Sequence, residues 1–297
     1  MVGFAGLFAQ FAFGFLLVVS LIPAWLVCMF AKLVRLCLSP ERHSALEKSV
    51  SGVLIVMMVL LWRLLFFLCA WIRLDVEYSD GSFLGMLGKP AVLVMNHTSF
   101  LDAMLAVSLA PLPRSLDVRV LVANYVFDIP LLGTVMREIG LAEVPFKGAA
   151  GEHSNMAVDK NLMDERLKSF NDHVTCGGVG AWFPEGLRNR GDPTVLQEFR
   201  AGAFSVPVRT DVEIWCCAAV GCNVSWPVKA TVGGLPADIR VKVFRLAASS
   251  HALLTDVEGD ERAKAIHLAS LAKAAVQEGI NELVAKDSGK STQEKQS

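Results

Sequence analysis

The sequence predicts an α/β fold: a mixed, largely parallel sheet flanked by helices and preceded by an N-terminal hydrophobic, membrane-anchoring helical region. Three observations predict it. From about residue 75, short apolar runs alternate with helix-period stretches, the pattern of helices packed on a mostly parallel sheet. Two long apolar runs occupy the first quarter of the chain. Hydrophobic residues make up 53% of the sequence and charged residues 19%, at the membrane-leaning edge of globular composition.

The first apolar run, Phe4 to Ala31, carries no charge. At about 1.5 Å per residue it is long enough to cross a hydrocarbon core of about 30 Å. It is too long for the core of a signal peptide and no Lys or Arg precedes it, so it reads as a retained anchor, with Pro23 as a kink. The second run, Val50 to Ile72, is interrupted by Arg63. A charge at the bilayer centre costs about 2.5–3.5 kcal/mol on insertion scales. Two readings stay open: a second span, or a helix lying in one leaflet with Arg63 and Arg73 reaching for headgroups. Residues 1–74 hold six Lys/Arg and two Glu, so this quarter suits a lipid bilayer with anionic headgroups as partner. The net charge of −1 supplies no field for nucleic acid. Lys32, Arg35, Arg42 and Lys48 sit in the connecting loop, which places that loop on the cytoplasmic side. If both runs span, the domain that follows falls on the opposite face; if only the first spans, or both form a hairpin in one leaflet, it stays cytoplasmic, the preferred placement because free cysteines agree with it. The seven cysteines lack a zinc-site spacing and read as reduced thiols.

Strands are expected at Ala91–Met95, Val118–Val122, Leu141–Val144, Val179–Phe183, Ile214–Val220 and Ile239–Phe244. Helices are expected at Leu101–Leu109, Pro130–Ile139, Met156–Phe170, Leu196–Val206 and about 258–285. The division is an anchor over 1–74, a domain over 75–286 and a polar, disordered tail over 287–297. Trp215 and Trp226 read as core filling.

Two clusters sit where α/β sheets usually carry function, beyond the carboxyl ends of strands. In the first, AVLVM runs into Asn96-His97-Thr98-Ser99-Phe100-Leu101-Asp102. A strand-to-helix turn can bring Asp102 under the His97 imidazole, fixing its tautomer and leaving the other nitrogen free to take a proton. Ser99 and Asp102 also fit a helix capping box, which is compatible with that arrangement. Asn96-His97-Thr98 matches a glycosylation sequon, discounted because a glycan would smother the loop. In the second cluster, Val179–Phe183 is followed by Pro184-Glu185-Gly186-Leu187-Arg188-Asn189-Arg190. Proline ends the strand, Gly186 permits a tight turn, and the arginines suit phosphate. A plain surface turn with a Glu–Arg ion pair is the competing reading.

Together, in this order and about ninety residues apart, the clusters resemble the glycerolipid acyltransferase family that includes lysophosphatidate acyltransferases. Asn96, His97 and Asp102 match its N-H-x-x-x-x-D motif, and Phe183, Pro184, Glu185, Gly186 and Arg188 its F-P-E-G-[ST]-R motif. The resemblance spans about residues 75–250. It implies that His97 is the general base oriented by Asp102, and that Glu185, Gly186 and Arg188 bind the acceptor phosphate. It further implies an acyl-CoA or acyl-carrier-protein donor as co-substrate, a lysophospholipid acceptor and no metal or other cofactor. The setting it suggests is the endoplasmic reticulum or another endomembrane. The sequence departs from the family in four places. Leu187 replaces a hydroxyl residue, and Asn124 stands where a Lys is common. Lys147 is only the nearest cation to the family's next Arg and is carried as a substrate-binding candidate. Both prolines of the fourth motif are missing from Val212–Cys217. Two alternatives follow: a decayed scaffold that binds membranes, or a CoA-independent phospholipid transacylase.

Overall fold

The structure is a computed structural model that describes residues 3–79, 90–147 and 157–294. Two long helices come first, α1 (Phe4–Cys37) and α2 (His43–Leu68). Strand β1 (Ile72–Tyr78) follows, then β2 (Ala91–Met95), α3 (Leu101–Leu109), α4 (Leu112–Ser115), β3 (Val118–Ala123), α5 (Leu132–Ile139) and β4 (Ala142–Val144). A short antiparallel pair, β5 (Phe146–Lys147) and β6 (Ala157–Val158), precedes α6 (Lys160–Thr175). The chain continues through β7 (Val179–Trp182), α7 (Ser205–Arg209), β8 (Glu213–Val220), α8 (Cys222–Ser225), β9 (Ala237–Ala247) and α9 (Glu261–Glu294).

The seven-stranded sheet has the order β1-β9-β8-β2-β7-β3-β4. Strands β8, β2, β7, β3 and β4 are mutually parallel; β9 runs antiparallel to β8 and parallel to β1. The mixed, mostly parallel sheet is the architecture expected. After β2 the chain moves outward to β3 and β4, returns through β7, and then places β8 on the opposite side of β2. The strand order therefore reverses at β2, which opens a crevice at its carboxyl end.

One buried cluster joins Phe13, Leu21, Leu54, Trp62 and Leu65 of the N-terminal helices to Met95, Leu105, Val135 and Val241 of the sheet and its helices. The hairpin thus shares a core with the domain it precedes. The opposite face of α1 presents Phe4, Phe8, Phe11, Phe15, Val19, Ile22, Leu26, Phe30 and Leu33 to the outside, at the three-to-four-residue interval that makes one stripe. By length and composition both helices can cross a membrane. Pro23 lies inside the unbroken α1.

Several local expectations are corrected. Arg63, exposed on α2, donates to the carbonyls of Ser108 (2.8 Å) and Ala110 (2.7 Å), because the last carbonyls of α3 have no partner within that helix. Arg73 pairs with Asp238 at 2.6 Å. The Ile72–Tyr78 strand was not expected, and it starts where the second apolar run ends. The helix expected at Leu196–Val206 forms only as a 3-10 turn (Gly202–Phe204) and α7, because the amides of Gln197 and Arg200 are given to Glu185 and the Pro184 carbonyl. Helix α6 starts at Lys160, capped by Asp159, which accepts from the Leu162 amide; Met156, the expected start, lies outside the described residues. The last helix continues to Glu294, past the Asp287 boundary set for a disordered tail, since extending a formed helix is far easier than nucleating one.

Candidate active site

The two sequence clusters meet because β2 and β7 are adjacent and parallel, so both loops leave the same edge of the sheet. The first loop is fixed from the other side by Asn96. Its fully buried amide donates to the Ala219 carbonyl (2.9 Å) and accepts from the Ala219 amide (2.8 Å) on β8. This leaves no side-chain nitrogen for a glycan.

His97 follows. Its Nδ1 lies 3.1 Å from Asp102 Oδ2. A carboxylate only accepts, so Nδ1 carries the proton and Nε2 is the basic nitrogen of the neutral ring. The same Oδ2 accepts the amides of Thr98 (2.5 Å) and Ser99 (2.7 Å). Ser99 Oγ accepts the Leu101 amide (3.1 Å) and donates to the Trp226 carbonyl (2.8 Å). The capping arrangement and the His–Asp pair therefore coexist, and the first mounts the second. Asp102 is fully buried. Burial, with the Asp102 carboxylate beside it, pushes the Cys222 thiol well above its ordinary value, so no second anion forms next to Asp102.

Four contacts bind the second loop to the first. The His97 amide donates to Glu185 Oε1 (2.7 Å), and the Asn189 amide to the His97 carbonyl (2.6 Å). The His97 and Phe183 rings stack with centroids 4.1 Å apart and planes 18° from parallel. Arg188 lies with its guanidinium carbon 3.7 Å from the Phe100 ring centroid. Glu185 Oε2 accepts the Gln197 amide (3.1 Å). Both carboxylate oxygens are thus engaged by backbone amides, and the Glu–Arg pair of an ordinary surface turn is not made. Burial raises the Glu185 carboxyl above its usual range against the pull of those two amides. Gly186 turns the loop with φ +76°, and a Cβ there would stand 2.5 Å from Arg200 Nε; only glycine fits. Asn189 Nδ2 donates to the carbonyls of Asp192 (3.1 Å) and Val195 (2.7 Å), which closes the loop.

A cavity of about 980 Å³ opens beside His97, at the upper end for small-molecule sites. Its walls include Met58 and Trp62 of α2, Met104 and Val107 of α3, and Met136 of α5, so it runs between the hairpin and the sheet. Its polar edge includes His97, Tyr125, Arg200 and Thr231. Burial pushes the Tyr125 phenol up, with Arg188 and Arg190 pulling the other way. Trp226 is on the cavity wall, whereas Trp215 is buried core.

His97, Asp102, Glu185, Gly186 and Arg188 are therefore brought together. Lys147 is not: it is exposed, pairs with Asp159 at 3.2 Å and is not on the cavity wall. Asn189 and Arg200 join the site although sequence reasoning assigned them no role there. Asn189 lies inside the second motif, but the helix expected over Leu196–Val206 hid Arg200. Among the described residues no group of three or more His, Cys, Asp or Glu is placed to hold a metal.

A family model described as acyltransferase matches residues 77–220. A chloroplastic 1-acyl-sn-glycerol-3-phosphate acyltransferase of Brassica napus is 28% identical over 61% of this chain and 48% of its own length. One from Arabidopsis thaliana is 30% identical over 46% of this chain and 34% of its own. The match thus spans half or less of these curated relatives. The crystal structure of the 1-acyl-sn-glycerophosphate acyltransferase PlsC from Thermotoga maritima superposes with a TM-score of 0.64 at 17% identity, covering 96% of this chain and 98% of that one; it shares the fold. Both motif loops fall within residues 77–220, so the crevice that joins them lies in the part of the chain that is similar to acyltransferases.

Proposed function

We propose that this chain transfers a fatty acyl group from a thioester donor, acyl-CoA or acyl-carrier protein, to the free hydroxyl of a lysophosphatidate-type acceptor. The observation that carries the reading is the His97–Asp102 pair, with His97 on the wall of a large apolar cavity. His97 Nε2 takes the proton of the acceptor hydroxyl as its oxygen attacks the thioester carbonyl. The C–S bond then breaks, and the thiolate leaves with the proton returned by the imidazolium. The cycle needs no covalent enzyme intermediate and no bound cofactor. A base so placed contributes about 10²–10⁴-fold, and positioning supplies much of the rest. Arg188 holds the acceptor phosphate. Glu185 shapes the loop, because its oxygens are already engaged.

The hairpin lies in the membrane. The outward apolar stripe on α1 is far more extended than the scattered apolar residues of a water-exposed surface. Packing of α2 along α3 and α5 favours immersion in one leaflet, with the catalytic domain on the cytoplasmic face. Lipid acceptors and acyl chains then reach the cavity from the bilayer side.

The test is a panel of lysophosphatidate, other lysophospholipids and glycerol 3-phosphate, each supplied with one acyl-CoA, with products read by mass spectrometry. Conversion of lysophosphatidate to phosphatidate is the expected result. Liposome binding without product from any donor–acceptor pair would assign the chain instead to a scaffold. Product formed from a labelled phospholipid with acyl-CoA omitted would make it a transacylase.

A further inference from the structure

We propose that Arg200, which lies in neither loop motif, reads the acceptor's phosphate and so selects a phosphate-bearing acceptor over a neutral one. The proposal rests on the acyl-transfer reading above and deepens it. Arg200 is held in place by its own backbone, whose amide donates to the Pro184 carbonyl at 2.8 Å. Its guanidinium lies against Gly186, close enough that any Cβ on that residue would collide with it. It is on the wall of the cavity that also holds His97 and Phe100. Arg200 and Arg188 therefore belong to the two segments that meet at the Glu185-Gly186 turn.

Neither guanidinium has an acidic partner among the described residues. The acids on these two segments are engaged elsewhere: Glu185 by two backbone amides, Asp192 by Thr194, and Glu198 by Lys273. Arg188 is partly desolvated, its Nη1 is buried without a hydrogen-bond partner, and its guanidinium lies over the Phe100 ring. An arginine on the cavity wall, with a second on the adjoining turn and no acidic partner for either among the described residues, is matched by an anion that arrives with a ligand. The loop across the cavity adds no cation. Asn124 donates from its side-chain nitrogen to the Phe146 carbonyl (2.9 Å) and accepts the Tyr125 amide on its side-chain oxygen (3.0 Å), while its neighbours Ala123 and Tyr125 line the wall. The charge that reads the headgroup thus comes from the strap after the second motif.

The test is calorimetric titration of the full chain in phosphatidylcholine nanodiscs. Its ligands are lysophosphatidate, a monoacylglycerol with the same acyl chain, and a non-hydrolysable acyl-CoA. Arg200→Gln is expected to weaken lysophosphatidate about 10- to 100-fold, the worth of a charge-assisted hydrogen bond, and to leave the other two ligands unchanged. Arg200→Lys is expected to fall between wild type and Arg200→Gln, because it keeps the charge and loses the fork. Wild-type affinity for lysophosphatidate in Arg200→Gln would overturn the proposal. So would equal weakening of both acceptors, or a loss confined to acyl-CoA. Because the readout is binding, a wild-type chain that discriminates the two acceptors but never turns them over would remove the acyl-transfer reading and leave the Arg200 assignment standing.

Discussion

The two loops at the carboxyl edge of the sheet carry the same kind of residue to different ends. In the first, the carboxylate of Asp102 faces a titratable partner: one oxygen gathers the His97 ring and two amides. In the second, the carboxylate of Glu185 faces only backbone, one oxygen on His97 and the other on Gln197. One carboxylate orients an imidazole; the other builds the loop on which that imidazole is stacked. An acid in a motif is therefore no guide to chemistry until its partners are counted. The cations divide as well: Arg200 lines the cavity and Arg188 lies over Phe100 on its wall, while Lys147, of the same charge, is tied to Asp159 away from it.

The sharpest way to break this contrast is to neutralise each acid. Asp102→Asn removes the charge that stabilises the imidazolium, and kcat is expected to fall about 10²–10⁴-fold with little change in KM, measured by thioester consumption. A change in KM alone would mean that Asp102 serves binding. Glu185→Gln places an amide group against two backbone N–H donors and can satisfy only one. Its expected signature is a loss of about 1–3 kcal/mol in denaturant unfolding. Unaltered stability with a raised KM for the phosphate acceptor would show that Glu185 binds substrate and would erase the contrast. Phe100→Leu removes the ring beneath Arg188. A cation–π contact worth about 0.5–1 kcal/mol corresponds to a two- to fivefold rise in acceptor KM.

The smallest effect is a pH dependence. Burial raises the Glu185 carboxyl in the folded chain, so in the window between its ordinary value and its folded one the folded state binds more protons than the unfolded. Stability from this group is therefore present at the acid end and declines as pH rises through that window. The wild-type advantage over Glu185→Gln should shrink from about pH 4.5 upward, as read by paired unfolding curves. An advantage that grows over the same range would place the carboxyl in a stabilising charge pair instead.

Much of the site was legible before the fold. Strand AVLVM ending on Asn96-His97 and strand Val179–Trp182 ending on the Phe183–Arg188 turn carry their own punctuation in proline, glycine and the apolar run. Their adjacency follows from the parallel sheet that the alternation of elements implied. What the sequence hid was long-range hydrogen bonding. Arg63 looked like a charge stranded in an apolar helix because its carbonyl partners lie more than forty residues away. Leu196–Val206 carries a helical period, yet its first amides are drawn to the Glu185 turn, and periodicity is blind to such a partner. The alternation in Ile72–Tyr78 was masked by the apolar run before it. Lys147 was chosen for nearness in sequence, and Asp159, its partner, lies beyond a stretch that sequence spacing does not fold.

The central claim is that the His97 ring, mounted on Asp102 and faced by Phe183, is the base. It is tested most directly by comparing wild type with His97→Ala in single-turnover thioester release, using lysophosphatidate and acyl-CoA at saturation. The account predicts a rate lower by about 10²–10⁴-fold, with both ligands still bound. Full turnover by His97→Ala would contradict it.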